Sequence, residues 1–334
     1  MFVGHEFLAF ALAGSLTRLL GRDARTALVA GGVAAVCALL PDLDVAYGVA
    51  TYVLAVSEGT ALSWDAFWGV TNGVHRVVTH TLPVGVAATL CVAAVVGVVR
   101  RRDRSREPTV ATDAATAVFA VLALAASAAV VTEMGRVVGE SASVVAATYL
   151  LTVCVAAAVL ARRVDASVGV LTLAAGVGFL SHPFGDVFMA SPPPLLSPFA
   201  PSPLTDRVVF ADDGTVNLLA VLFVEVATVW AGLLTYLRLS GRRLGDAFAG
   251  RAVLGVGYAP AVFVLPRPTM VDAHVLGFTA VPLAVGVGVT AYGWRDGAEP
   301  AFDARRERVL RGVVTGLATL TVAAGAYLLA YLVV

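Results

Sequence analysis

Four short stretches of the chain carry side chains able to hold a metal ion. "SHPFGD" at 181–186 sets His182 and Asp186 four positions apart. On a helix that spacing puts both on one face, a turn apart, where an imidazole and a carboxylate can grip one ion. "PDLD" at 41–44 offers Asp42 and Asp44 just past a helix end; each can reach a metal, or one can hold a ligating histidine by hydrogen bond. "HRVVTH" at 75–80 offers His75 and His80, about 140° apart around a helix. If both bind, His75 lies just before that helix begins. His5 opens the first apolar run. Imidazoles and carboxylates without thiolates suit zinc, with manganese or iron as the harder alternatives. Arg76, beside the histidines, suits an anionic substrate oxygen such as phosphate; its plainer reading is a snorkelling interfacial arginine.

The elements that must position these residues are set by composition. The 334 residues are 59% hydrophobic and 14% charged, with a mean hydropathy of +0.86, and runs of the roughly 20 apolar residues needed to cross a bilayer recur throughout. Helices are the natural form for such runs, because lipid leaves backbone groups no other partner. The expectation is an all-α, polytopic transmembrane helical bundle of about ten spans, near 5–20, 26–46, 78–99, 110–131, 144–161, 166–190, 216–238, 251–266, 271–293 and 311–334. Two stretches read as non-helical, 47–74 and the proline-rich "SPPPLLSPFAPSPL" at 191–204, whose prolines end the sixth span near Ala190.

Arginine supplies all 23 basic residues, and its placement alternates along the chain. One set of connections holds Arg18, Arg22 and Arg25, the "RRRDRSR" run at 100–106, Arg162 and Arg163, Arg238 to Arg251, and Arg295 to Arg311; the other holds only Arg76, Arg136, Arg207 and Arg267. The rich set marks the cytoplasmic face of a multi-pass protein of the cell membrane. His5, "PDLD", "HRVVTH" and "SHPFGD" all fall at the opposite, extracytoplasmic end. A polar residue at one helix end means little. Several at one level, with little else polar nearby, favour a site.

The remaining features weigh less. Cys37, Cys91 and Cys154 lie in apolar runs without a CxxC and read as small buried hydrophobes. The first apolar run has no basic region ahead of it and reads as a helix, with no cleavable signal peptide expected. The charge balance of zero points to no nucleic-acid partner. Glu225, within "LLAVLFVEVATVW", is the one deep carboxylate and the best argument for transport. Asp272 and His274 begin the ninth span on the site's side, and Trp64 and Trp68 read as interface anchors.

In order along the chain, His5, "LLPDLD", "HRVVTHT" and "SHPFGDVFMASPPPLLSPF" resemble the marks of the YdjM-like membrane-bound metal-dependent hydrolases. The likeness is residue by residue at Asp42, Asp44, His75, Arg76, His80, His182 and Asp186; it departs at Val77, usually Gly, and Thr81, usually Ser. The "HxxxD" pair is also distantly similar to that of zinc-dependent phospholipase C. The resemblance covers residues 1 to about 200. It implies a hydrolase-like transmembrane domain over 1–204, followed by C-terminal transmembrane helices over 205–334. One or two divalent ions, zinc first, would be held by His80, His182, Asp186 and one or both of Asp42 and Asp44, with His5 and His75 as ligands or their supports. Asp44 would take a proton from water and Arg76 would meet the substrate. A site at bilayer-boundary depth suits a lipid or lipid-linked phosphoester entering from the membrane. The alternatives are a transporter or metal-permeation protein using the same cluster, and a scaffold with a structural ion.

Overall fold

The computed structural model describes residues 3–72, 76–103, 110–188, 192–292 and 302–334. Among these residues the secondary structure is entirely helical. The chain divides into two compact units: one is built from His5–Val187 and Ser191–Arg207, the other from Val208–Val334 with the short pieces Phe2–Gly4 and Phe188–Ala190.

The first unit carries α1 (Gly4–Leu19), α2 (Ala24–Leu39), α3 (Val45–Ser57), α4 (Trp64–Asn72), α5 (Leu82–Asp103), α6 (Val110–Val137), α7 (Glu140–Arg163) and α8 (Val168–Gly185). α2 and α8 both start at the arginine-rich end and run toward the other, each with a capped first turn. Asp23 accepts from Thr26 N–H, and Ser167 accepts from Val170 N–H, satisfying donors a helix start leaves open. α5 runs the other way and ends in Arg100, Arg101 and Arg102. There Arg100 donates to the carbonyls of Val164 and Ala166 in the α7–α8 connection, at 2.7 Å to Val164, which ties α5 to the foot of α8.

The core of this unit is made of small side chains. Ala30, Ala34, Cys37 and Ala38 of α2 meet Leu171, Ala174, Ala175 and Phe179 of α8 and Val84, Ala87 and Ala88 of α5. Lipid supplies no hydrophobic drive between helices, so close backbone approach must hold them. Gly178 shows how close: a Cβ there would meet the Ala34 carbonyl oxygen and lie 2.7 Å from Cys37 Cβ. Large apolar side chains instead face outward, as in Val144, Leu151, Val155 and Val159 of α7, the arrangement lipid contact permits.

Among the described residues, eight helical stretches are long and apolar enough to cross a membrane. The first and eighth runs of the sequence reading are shorter. α1 has 16 residues, a rise of about 24 Å. The eighth run is a 3-10 helix, Gly250–Phe263, of 14 residues, which at the steeper 3-10 rise extends about 28 Å. The connection 47–74 is not irregular as expected: it contains α3 and α4. α2 passes through the 3-10 turn Pro41–Asp44 directly into α3, making one apolar stretch Ala24–Ser57. Gly48 lets α4 pack back against α3, since a Cβ there would clash with the Thr71 side chain.

The second unit carries α9 (Gly214–Leu239), the short α10 (Leu244–Ala247), the 3-10 helix, α11 (His274–Tyr292) and α12 (Phe302–Val333). Its core centres on Leu219, Tyr258, Ala280, Ala323 and Tyr327.

Candidate metal centre

Three helix ends of the first unit deliver the cluster. α2 gives way to the 3-10 turn at Pro41, which has no N–H to donate, and that turn presents Asp42 and Asp44. α8 contains Pro183 and ends at Gly185; the Asp186 N–H bonds to the Pro183 carbonyl, so the last turn tightens. His182 therefore sits in the last turn of α8 and Asp186 at its C-cap, and the pair still face one another's partners. His80 stands two residues ahead of α5, whose first turn is capped when Thr81 Oγ1 accepts from Val84 N–H at 3.4 Å. Thr81 thus supplies the hydroxyl that serine supplies in the resembling pattern.

His5, His80, His182 and Asp186 are all within 1% of complete burial, while the Asp42 side chain remains 26% exposed. His80 Nε2 lies 3.2 Å from Asp42 Oδ1 and 3.3 Å from Asp186 Oδ2. His182 Nε2 is 3.6 Å from Asp42 Oδ1, and His5 Nε2 is 3.5 Å from Asp186 Oδ1. The His182 ring centroid is 4.1 Å from that of His5 and 4.5 Å from that of His80.

Two triples, His5–Asp42–His182 and His80–His182–Asp186, have ligand atoms within 4.8 Å of one another. They share His182. Among the described residues, both ring nitrogens of His5 and both of His182 are buried without a hydrogen bond, a costly arrangement for a polar ring. The nitrogen–oxygen separations exceed the 2.7–2.9 Å or so of charge-assisted hydrogen bonds. They match the edge of a tetrahedron of ligands around zinc, about 3.3–3.4 Å for bonds of 2.0–2.1 Å. Charge agrees. Among the described residues three carboxylates, Asp42, Asp44 and Asp186, stand against one guanidinium, that of Arg76, an excess of carboxylate in a largely buried site that a divalent cation would offset. The residues present fit such an ion.

Arg76 is 15% exposed, and its Nε lies 3.1 Å from Asp186 Oδ2. Its backbone takes a left-handed conformation, φ 75°, which costs an ordinary residue about 1–2 kcal/mol. That turn aims the Arg76 N–H at Asp44 Oδ2, 3.0 Å away. Val77 has no positive φ, so the glycine of the resembling pattern is not needed at that position. Asp44 stands apart from both triples: its Oδ2 accepts from Arg76 N–H and, at 2.5 Å, from Thr79 Oγ1. His75 lies outside the described residues. Thr79, buried among these groups, was not singled out from sequence. A threonine beside a helix start is ordinary, and only its two hydrogen bonds reveal it.

His80 precedes the membrane-spanning part of α5. Burial works against its charged form, but the hydrogen bonds to Asp186 and Asp42 and the charges of Asp186 and Asp44 outweigh that, raising its pKa to about 9.

Elsewhere, Glu225 Oε1 accepts from the backbone N–H groups of Val3 and Gly4, at 3.0 and 3.1 Å. Val3, Gly4 and Glu225 all belong to the second unit, so the residue that best argued for transport has backbone partners there. Asp272 accepts from Thr269 Oγ1 at 3.1 Å, and neither it nor His274 joins a ligand group among the described residues. Trp64 and Trp68 pack edge to face on α4, 5.5 Å apart.

The model of the YdjM inner membrane protein family matches residues 1–244. The match runs past the resemblance read from the motifs and takes in α9. No curated protein and no solved structure matches the chain.

Proposed function

The chain belongs to the YdjM inner membrane protein family, and on that premise we propose that it is a membrane-embedded metal-dependent hydrolase. The observation that carries this reading is the set of buried His5 and His182 ring nitrogens without hydrogen bonds, held against Asp186 and Asp42 at metal-ligand edge lengths. His5, His80, His182, Asp42 and Asp186 would hold the ion, zinc being the best fit to this nitrogen and oxygen set, with manganese or iron as alternatives. When bound, a divalent ion makes water a nucleophile near neutral pH and polarises the bond to be broken.

The chain's own residues supply the rest. Asp42, on the exposed edge of the cluster, is placed to receive a proton from an entering water. Asp44, expected from sequence to take that proton, already accepts two hydrogen bonds on Oδ2 and serves to hold the segment bearing His80. Arg76 shares the exposed edge with Asp42 and can turn its remaining guanidinium donors to an anionic oxygen. With the histidines buried, the partly exposed Asp42 and Arg76 are the groups of this cluster that a substrate would meet. A phosphoester of a lipid or lipid-linked molecule suits that edge, at the end of α2 and α8 opposite the arginines.

The test is the metal content of detergent-purified protein, wild type beside His182→Ala and Asp186→Ala. About one equivalent in wild type, lost in both variants, is the expected result. No uptake by wild type after incubation with zinc or manganese would sink the proposal.

A further inference from the structure

Thr79 has one hydroxyl proton and two close neighbours. Its Oγ1 lies 2.5 Å from Asp44 Oδ2 and 2.8 Å from His80 Nδ1. Two oxygens at the first distance repel unless a proton lies between them, and a carboxylate can only accept. The Asp44 oxygen also receives the Arg76 N–H, which fixes it further as the acceptor. The hydroxyl proton therefore points to Asp44. Having spent its proton there, Thr79 meets His80 with a lone pair, so Nδ1 must carry a hydrogen. Once the ring is neutral it holds only that one, and the Nε2 lone pair is then left facing Asp42 Oδ1 and Asp186 Oδ2. Two anionic oxygens around a lone pair need a cation between them.

From this proton count we infer that Thr79 is a positioning residue for the metal centre: it relays the Asp44 charge to His80 and fixes the ring tautomer that turns Nε2 toward the ion. The relay Asp44–Thr79–His80 does the work that a carboxylate does directly behind many ligating histidines. It explains why Asp44 is buried in the cluster yet outside both ligand triples. It also gives the left-handed turn at Arg76 a purpose, since the N–H aimed by that turn holds the Asp44 oxygen in place. The inference rests on the metal-centre reading for its consequence, though not for the tautomer itself.

Two readouts on wild type, Thr79→Val and Thr79→Ser test it: zinc affinity by competition with a chelator, and 15N spectra of histidine-labelled protein. His80 signals are assigned by their loss in His80→Gln. Thr79→Val keeps the shape and removes the hydroxyl, and should weaken zinc binding by about 10- to 100-fold. Thr79→Ser should restore it to within a few-fold. In wild type and Thr79→Ser, His80 should carry its proton on Nδ1, both zinc-loaded and metal-free in alkaline buffer. Equal zinc affinity in wild type and Thr79→Val, or a neutral wild-type His80 with its single proton on Nε2, would overturn the inference. Wild type that binds no zinc but shows the Nδ1 proton would defeat the hydrolase proposal alone and uphold the role of Thr79. Should Thr79→Val fail to fold, the wild-type and Thr79→Ser spectra decide.

Discussion

His80 shows how one side chain can be placed for a metal and guarded by a proton at once. With its pKa raised to about 9, the metal-free ring holds a second proton between Asp42 and Asp186 below that pH, and an incoming cation must displace it. Zinc affinity should therefore climb with pH, by up to about tenfold per unit for one displaced proton, and level off near pH 9; chelator competition across neutral to alkaline buffers measures the slope. The same shift makes a separate prediction for the metal-free protein. A folded-state pKa above the ordinary 6.5 means the ion pairs stabilise fully below that value and are lost as pH rises through about 9. The thermal midpoint of chelator-treated protein should fall over that interval, and should fall less in His80→Gln. At this scale the sequence was informative about residue type and blind to hydrogen-bond direction. His182, Asp186, Asp42 and His80 announce themselves by chemistry and spacing. Thr79 does not, because its role depends on two contacts a few tenths of an ångström from being unremarkable.

Among the elements, the crossing of α2 and α8 sets the site's dimensions. Gly178 lies one turn before His182, and the α2 residues it touches, Ala34, Cys37 and Ala38, lie one to two turns before Asp42. Gly178→Ala must push the two helices apart just beneath the cluster. We expect a stability loss of about 1–3 kcal/mol, typical of overpacking, together with weakened zinc binding. Gly176→Ala, whose Cβ would meet Thr89 Cγ2 at an ordinary 3.4 Å, should leave both unchanged. Thermal unfolding and metal content of the pair would check this. Hydropathy located α2, α5 and α8 but could not show that α2 carries on into α3, because an apolar run reads the same whether it crosses lipid or passes beyond it. Nor could it distinguish the 3-10 form of Gly250–Phe263 from an α-helix, since both bury an unbroken apolar run and differ only in backbone winding.

For the molecule as a whole, the arginine ends and the metal-ligand ends of α2, α5 and α8 are opposite, so the side of the membrane that holds the site follows from where the arginines lie. Ser63 belongs to the site end and Arg163 to the other, and both are exposed. Ser63→Cys should react with a membrane-impermeant thiol reagent in spheroplasts, and Arg163→Cys only after permeabilisation. The reverse pattern would turn the site toward the cytoplasm. The three histidines sealed behind Asp42 carry a further consequence, one of timing. Among the described ligands only Asp42 is partly exposed, so a chelator can meet the ion at one ligand at most, and residence is governed by release from the buried ring nitrogens and not by how much competitor waits outside. Loss to excess chelator should then be slow, with a half-life that more chelator does not shorten. The protein would keep, through detergent and dialysis, the ion it acquired as it assembled.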